Sequence, residues 1–230
     1  MSEAYLFPPM PPISLAIRGE KTRFPVHRIY CIGRNYEAHA REMAATVNLE
    51  APVFFSKPAD ALVTGNADVP YPSATLDLHH EVELVVALGS GGGDLSVAAA
   101  LTTVIGYAVG LDLTRRDLQA AAKAKGLPWD SAKGFDHSAP ISSLSLVSAI
   151  GHPQQGRLSL EVNGSVRQQV DIADMVLQVG EILAALSTLY QLRAGDLIFT
   201  STPAGVAALR RGDRFRASFP GIDELTGRIV

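Results

Sequence analysis

Cysteine is nearly missing from this chain, with Cys31 the single example in 230 residues. One thiol can form neither an intrachain disulfide nor a thiolate metal cluster, which suits a reducing compartment. Flanked by Tyr30 and Ile32, it reads as a buried structural thiol rather than a nucleophile. No stretch approaches the roughly 20 apolar residues of a membrane span. The first 20 residues carry Pro8, Pro9, Pro11 and Pro12 but no basic segment leading into an apolar run, so a secretory signal is not expected and the cytoplasm is the expected location. A block of Lys and Arg is missing too, and the formal net charge is -3. Nothing electrostatic therefore points to nucleic acid or to an anionic membrane. Internal repeats and dividing linkers are absent, which leaves one catalytic domain and a small-molecule ligand as the expectation.

What is present is core-forming material. The chain is 47% hydrophobic and 19% charged, enough to bury a substantial interior and unlike the composition of a disordered protein. Residues 1–26 read as an N-terminal arm and residues 27–230 as the folded domain. Ile29 to Ile32 reads as a strand, and Tyr36 to Met43 as a helix with Asn35 as N-cap. On that helix His39 and Glu42 share a face. Val53 to Phe55 and Asp77 to Leu88 follow as strands. Ser90 to Asp94 is Gly-rich, but no Gly-Lys-Ser/Thr follows, so it reads as a surface turn and not a phosphate loop. Val97 to Thr103 has helical composition, and Ile105 to Leu113 is apolar with Asp112 near its end. Thr114 to Asp117 resembles a capping box that opens a helix through Lys125, with Arg116, Gln119 and Lys123 on one side. Asn163-Gly164 between two β-rich runs signals a hairpin. A helix around Val179 to Leu189 and strands at Leu197 to Thr200 and Arg214 to Phe219 complete the reading. Strands following strands argue for a mixed α+β fold rather than a doubly wound one.

The anomaly lies in Leu78-His79-His80-Glu81-Val82-Glu83-Leu84. Side chains at i and i+2 of a strand share a face roughly 7 Å apart. Two carboxylates on the inward face of an apolar strand repel and lose hydration unless protonated, paired or bound to a metal. Asp112 ends another apolar run, and the three together offer oxygen donors suited to a hard divalent cation, Mg²⁺ or Mn²⁺, with half the coordination shell left open. His79 and His80 point to opposite faces and read as supporting or packing residues, with ligation as the alternative. His27, His137 and His152 belong to no constellation, and Trp129 reads as packing.

Seven segments in register resemble the fumarylacetoacetate hydrolase superfamily. They are Gly33-Arg34-Asn35-Tyr36 with His39 and Glu42, Phe55-Ser56-Lys57-Pro58, His80 to Leu84, Gly106-Tyr107 through Thr114, Arg116-Asp117-Leu118-Gln119, Lys133-Gly134-Phe135-Asp136, and Gly195-Asp196 with Thr200 to Val206. The resemblance implies a twisted mixed β-roll with peripheral helices, bound Mg²⁺ or Mn²⁺, a homodimer, and chemistry on 2-oxo and 2,4-dioxo acids. It implies Glu81, Glu83 and Asp112 as metal ligands, His39 and Glu42 as a dyad on a mobile lid helix, and Lys133 as the active-site lysine. Gln119 and Thr202 match substrate-holding groups. Within the superfamily, Phe24 to Tyr30, Phe54 to Asp60 and Lys133 to Ser138 are most similar to bacterial fumarylpyruvate hydrolases of gentisate catabolism. Such a substrate needs a cation for its distal carboxylate, and Arg34 or Arg116 is expected to supply it. Acylpyruvate hydrolysis and oxaloacetate decarboxylation are the alternatives, and a non-catalytic metal-binding or ligand-sensing relative is a third. Ser201 departs from the family pattern, which has Gly in the Thr-Gly-Thr-Pro turn.

Overall fold

The computed structural model describes residues 4–43, 48 and 51–230, so residues 1–3 of the N-terminal arm lie outside the described residues. Its centre is a six-stranded sheet in the order Ser145–Leu146, Val104–Leu111, Val82–Leu88, Asp196–Phe199, Arg28–Gly33, Val53–Lys57. Asp196–Phe199 and Arg28–Gly33 run parallel, and the other neighbours are antiparallel.

Both faces of this sheet are covered, which is why its strands read as near-continuous apolar runs instead of alternating ones. Val82, Leu84, Val86 and Leu88 face one core with Tyr30, Ile32, Val109, Leu111 and Ile198. Val85 and Ala87 face a second core with Ile29, Cys31, Ala108, Leu197 and Phe199. The first core is closed by helix Val179–Leu189 and by a four-stranded antiparallel sheet of Ser165–Asp171, Arg157–Val162, Arg214–Ser218 and Leu225–Arg228. The second is closed by Leu15 and Phe24 from the hairpin Ser14–Ala16 with Arg23–Pro25, and by Ala139, Ile141 and Leu144. Gly110 allows a close approach within this sheet: a Cβ there would lie 2.7 Å from the Phe199 ring and 2.9 Å from Val85.

The mixed α+β architecture with peripheral helices agrees with the sequence reading, and the Asn163-Gly164 hairpin forms with φ of 54° and 76° at the two turn residues, as a type I′ turn requires. Three local expectations need correction. The Asp77 to Leu88 segment is two strands, Leu78–His80 and Val82–Leu88, belonging to different sheets and broken at Glu81. Thr114–Arg115 is not a capping box but a short strand paired with Leu78 and His79, and Asp117 accepts from Thr75 Oγ1, Leu76 N and Leu118 N instead of capping reciprocally. Asn35 does not cap helix Glu37–Glu42, whose N-cap is Tyr36. Its side chain instead donates to Leu177 O (2.9 Å) and Thr200 O (3.3 Å) and accepts from Leu177 N (2.7 Å), tying the start of the helix to the sheet.

Candidate active site

The side-chain alternation that separates the two cores also places the acids. Glu81 and Glu83 continue the odd row of Val85 and Ala87, while Asp112 continues the row of Ala108 and Gly110 on the neighbouring strand. Glu83 pairs with Gly110 in register, and Asp112 N donates to Glu81 O at 2.8 Å. Ligand atoms of Glu81, Glu83 and Asp112 all lie within 4.8 Å of one another, and all three residues are buried.

Cations surround two of the three. Lys133 Nζ donates to Glu81 Oε2 at 2.8 Å and to Asp112 Oδ2 at 2.5 Å. Arg116 donates to Glu81 Oε1 and, at 2.6 Å, to Gln119 Oε1. Lys57 Nζ is 2.8 Å from Asp112 Oδ1, at an angle that leaves this buried oxygen without a hydrogen bond. Burial opposes ionisation of Glu81, but Lys133 and Arg116 outweigh it and hold the carboxyl well below its usual range. The same acids hold the Lys133 ammonium above its usual value against the opposing effect of burial. Glu83 differs. It accepts one backbone bond, from Ser201 N at 2.8 Å, has no ion-pair partner among the described residues, and is pushed well above the ordinary carboxyl range by burial and by the charges of Asp112 and Glu81. An uncompensated buried carboxylate costs several kcal/mol. The unbonded Asp112 oxygen and the unpaired Glu83 lie on one acidic cluster, so the donor set fits a hard divalent cation.

His39 reaches the same cleft from helix Glu37–Glu42. Its Nδ1 is 3.3 Å from Glu42 Oε2. A carboxylate only accepts, so Nδ1 carries the proton in this pair and Nε2 is left with its lone pair free. Glu42 is itself held by Gly205 N, which donates to both its oxygens at 3.1 and 3.3 Å. Burial lowers the His39 pKa below the ordinary imidazole value despite Glu81 and Glu42.

Arg34, His39, Glu81, Glu83, Asp112, Arg116, Gln119 and Lys133 all line this one cleft, together with Phe55, Lys123, Trp129 and Ser201. Lys133 closes the short helix Asp130–Lys133. Thr202 stands one residue behind the wall, its hydroxyl accepting from Gln168 Nε2 at 2.8 Å. Trp129 packs on Phe55 with ring centroids 5.9 Å apart. The two adjacent histidines stay outside the acidic group. His80 Nδ1 lies 2.9 Å from Gln168 Oε1, and His79 bridges Asp77 (2.9 Å) and Arg116 (3.4 Å).

Sequence reasoning assigned no role to Lys57 or Gln168 and met Ser201 only as a departure from the family turn. Lys57 ends an apolar strand just as Asp112 does, so the signal that found the acid could have found the base. Ser201 sits at φ 85°, the left-handed region that favours glycine, and its hydroxyl accepts from Asn35 N at 3.1 Å. Gln168 lies in a hairpin whose pattern reads as exposed, and no local signal distinguishes it.

Residues 28–230 match the family model described as fumarylacetoacetate (FAA) hydrolase C-terminal. A crystal structure of fumarylpyruvate hydrolase from Pseudomonas aeruginosa in complex with Mn²⁺ and pyruvate is 47% identical, with a TM-score of 0.95 over 99% of each chain. Oxaloacetate tautomerase YcgM of Escherichia coli (strain K12) is 39% identical over 214 residues, 93% of this chain and 97% of its own. The mitochondrial oxaloacetate tautomerase FAHD1 of Rattus norvegicus is 43% identical over 201 residues, 87% and 90% of the two chains.

Proposed function

Because the chain belongs to the fumarylacetoacetate hydrolase family, we propose that it is a metal-dependent hydrolase of 2,4-dioxo acids, splitting 3-fumarylpyruvate into fumarate and pyruvate. The observation that carries this reading is the buried group of Glu81, Glu83 and Asp112, with Glu83 lacking an ion-pair partner among the described residues, in one cleft with His39, which is paired to Glu42. Its similarity to the Pseudomonas enzyme with Mn²⁺ and pyruvate supports the same substrate class.

Bound by those three carboxylates, Mg²⁺ or Mn²⁺ would supply electrophilic polarisation of the oxygens of a 2-oxo acid. The chain's own groups do the rest. His39 Nε2 takes a proton from water while Glu42 holds the ring and stabilises its positive charge. The water oxygen bonds to the distal keto carbon. The bond from that carbon to the adjacent methylene then breaks, its electron pair stays with the methylene carbon, and the proton held by His39 is transferred there to complete pyruvate. Lys133, held charged by its acidic partners, offers electrostatic stabilisation to oxygens that gain negative charge. Arg116, itself held by Gln119, braces Glu81, and both residues shape the cleft wall.

A second reading is favoured by the oxaloacetate tautomerase relatives. Enolisation of oxaloacetate would need His39 to take a proton from the methylene carbon and a proton to be returned to the keto oxygen, with no water addition and no bond between carbons broken. One metal-supplemented assay separates the readings: fumarylpyruvate, acetylpyruvate and oxaloacetate are offered separately, with fumarate and pyruvate quantified and the enol of oxaloacetate followed by absorbance. Fumarate release in step with pyruvate is expected. Rapid enol and keto exchange without fumarate release would replace hydrolysis by tautomerisation, and pyruvate from oxaloacetate alone would indicate decarboxylation. His39→Ala should lower hydrolysis by at least about 100-fold while still binding the metal.

A further inference from the structure

Of the two arginines expected to meet the distal carboxylate of the substrate, Arg116 is committed to Glu81, Gln119 and His79. Lys133 is likewise committed to Glu81 and Asp112, which leaves two cations of the cleft lining, Arg34 and Lys123. Arg34, at φ 63°, stands just ahead of the helix that carries His39. Lys123 stands two turns beyond Arg116 on helix Arg116–Ala124, exposed at the cleft mouth, with its ammonium 5.2 Å from the centroid of the Trp129 ring. Among the described residues, neither Arg34 nor Lys123 has an ion-pair partner. Burial and the positive charges of Arg116 and Arg34 both lower the Lys123 pKa. Like charges gathered around one opening repel one another, and an anion seated between them removes that penalty. The acids and the mouth thus give the cleft two ends of opposite character.

Resting on the proposed reading, in which the 2-oxo acid end of the substrate is held at Glu81, Glu83 and Asp112, we infer that Lys123, with Arg34, is the specificity-determining residue for a second, distal carboxylate. The enzyme then selects extended dicarboxylic substrates over those ending in an alkyl group. Lys123 suits this position because its exposed side chain holds the ammonium over the Trp129 ring in the wall of the same cleft, apart from the acidic group, so it can meet the far end of a substrate without entering the reacting centre.

The test compares kcat/KM for fumarylpyruvate and acetylpyruvate in wild type, Lys123→Met and Lys123→Arg, with thermal melts to verify folding. Methionine keeps the length of the stem but cannot make a charge-assisted hydrogen bond, so the preference for the dicarboxylate should fall by about tenfold or more, mainly through KM, and Arg should restore most of it. A preference in Lys123→Met within twofold of wild type would overturn the inference. Fumarate and crotonate, alike except for the second carboxylate, are also titrated by calorimetry against the metal-loaded protein. Fumarate should bind more tightly than crotonate to wild type and lose that advantage in Lys123→Met; an unchanged advantage counts against Lys123. Should wild type hydrolyse neither dioxo acid, the proposed function fails while the calorimetric arm still decides the role of Lys123.

Discussion

At the scale of single residues, Glu83 carries the clearest physical tension in the molecule. Its neighbours in the acidic group have Lys57, Lys133 and Arg116, whereas Glu83 has one backbone N–H. Glu83→Gln keeps the shape and removes the charge. Without metal, this variant should melt no lower than wild type, and it should lose the rise in Tm that Mn²⁺ gives wild type. A drop of several degrees in the presence of chelator would contradict the argument that the charge is unpaired. His39 gives a second prediction. Burial lowers its pKa, so the neutral ring persists to pH values below the ordinary 6.5. A base that must be neutral loses activity only as pH falls through its own pKa, so the acid limb of kcat/KM should lie below 6.5 at saturating metal. Glu42→Gln removes the carboxylate that favours the protonated ring, and that limb should move further toward acid. A shift toward alkaline pH would remove Glu42 from this role.

At the scale of elements, helix Glu37–Glu42 is too short to be stable by itself, and its position depends on contacts at both ends. Asn35 ties its start to Leu177 and Thr200, Ser201 accepts the Asn35 N–H, and Gly205 holds Glu42 at its end. Asn35→Ala should therefore raise amide hydrogen exchange in residues 37–42 by on the order of a hundredfold, since it removes three side-chain hydrogen bonds that contribute about 1 kcal/mol each. Hydrolysis should fall in parallel as His39 loses its placement, and unchanged exchange would show the helix to be held otherwise. The helix itself and its His39 and Glu42 pair were legible from spacing. Its anchoring was not, because Asn35 is equally a capping residue by local rules and only Leu177 and Thr200, far away in sequence, decide between the two. The same limit explains Thr114: its local pattern resembles a capping box, but the strand Leu78–His80 recruits it as a pairing partner. The break at Glu81 was hidden for a related reason, since apolar periodicity runs straight through a residue at which the chain passes from one sheet to another.

At the scale of the whole molecule, the long apolar strands, the hairpin at Asn163 and the three displaced acids were readable because each rests on a period or on a residue type out of place. The bases that answer those acids come from separate elements, Lys57 from an edge strand and Lys133 from a short helix, and only the closed fold brings them together. This construction also predicts how the protein responds to loss of metal. The acidic group sits at the end of a sheet covered on both faces, and its two strands are already joined by the bond from Asp112 N to Glu81 O. The site is thus formed by the fold and not the fold by the site, unlike small domains that need a metal to fold. Chelation should leave the far-UV circular dichroism unchanged while lowering Tm. Metal at 100 times its dissociation constant stabilises by about 2.7 kcal/mol. At roughly 2–4 °C per kcal/mol for a chain of this size, Tm should rise by roughly 5–11 °C when Mg²⁺ or Mn²⁺ is restored, and continue to climb with the logarithm of metal concentration. Loss of secondary structure on chelation would show that the carboxylates cannot be contained by Lys57, Lys133 and Arg116 alone. A Tm indifferent to both cations would remove the metal from Glu81, Glu83 and Asp112.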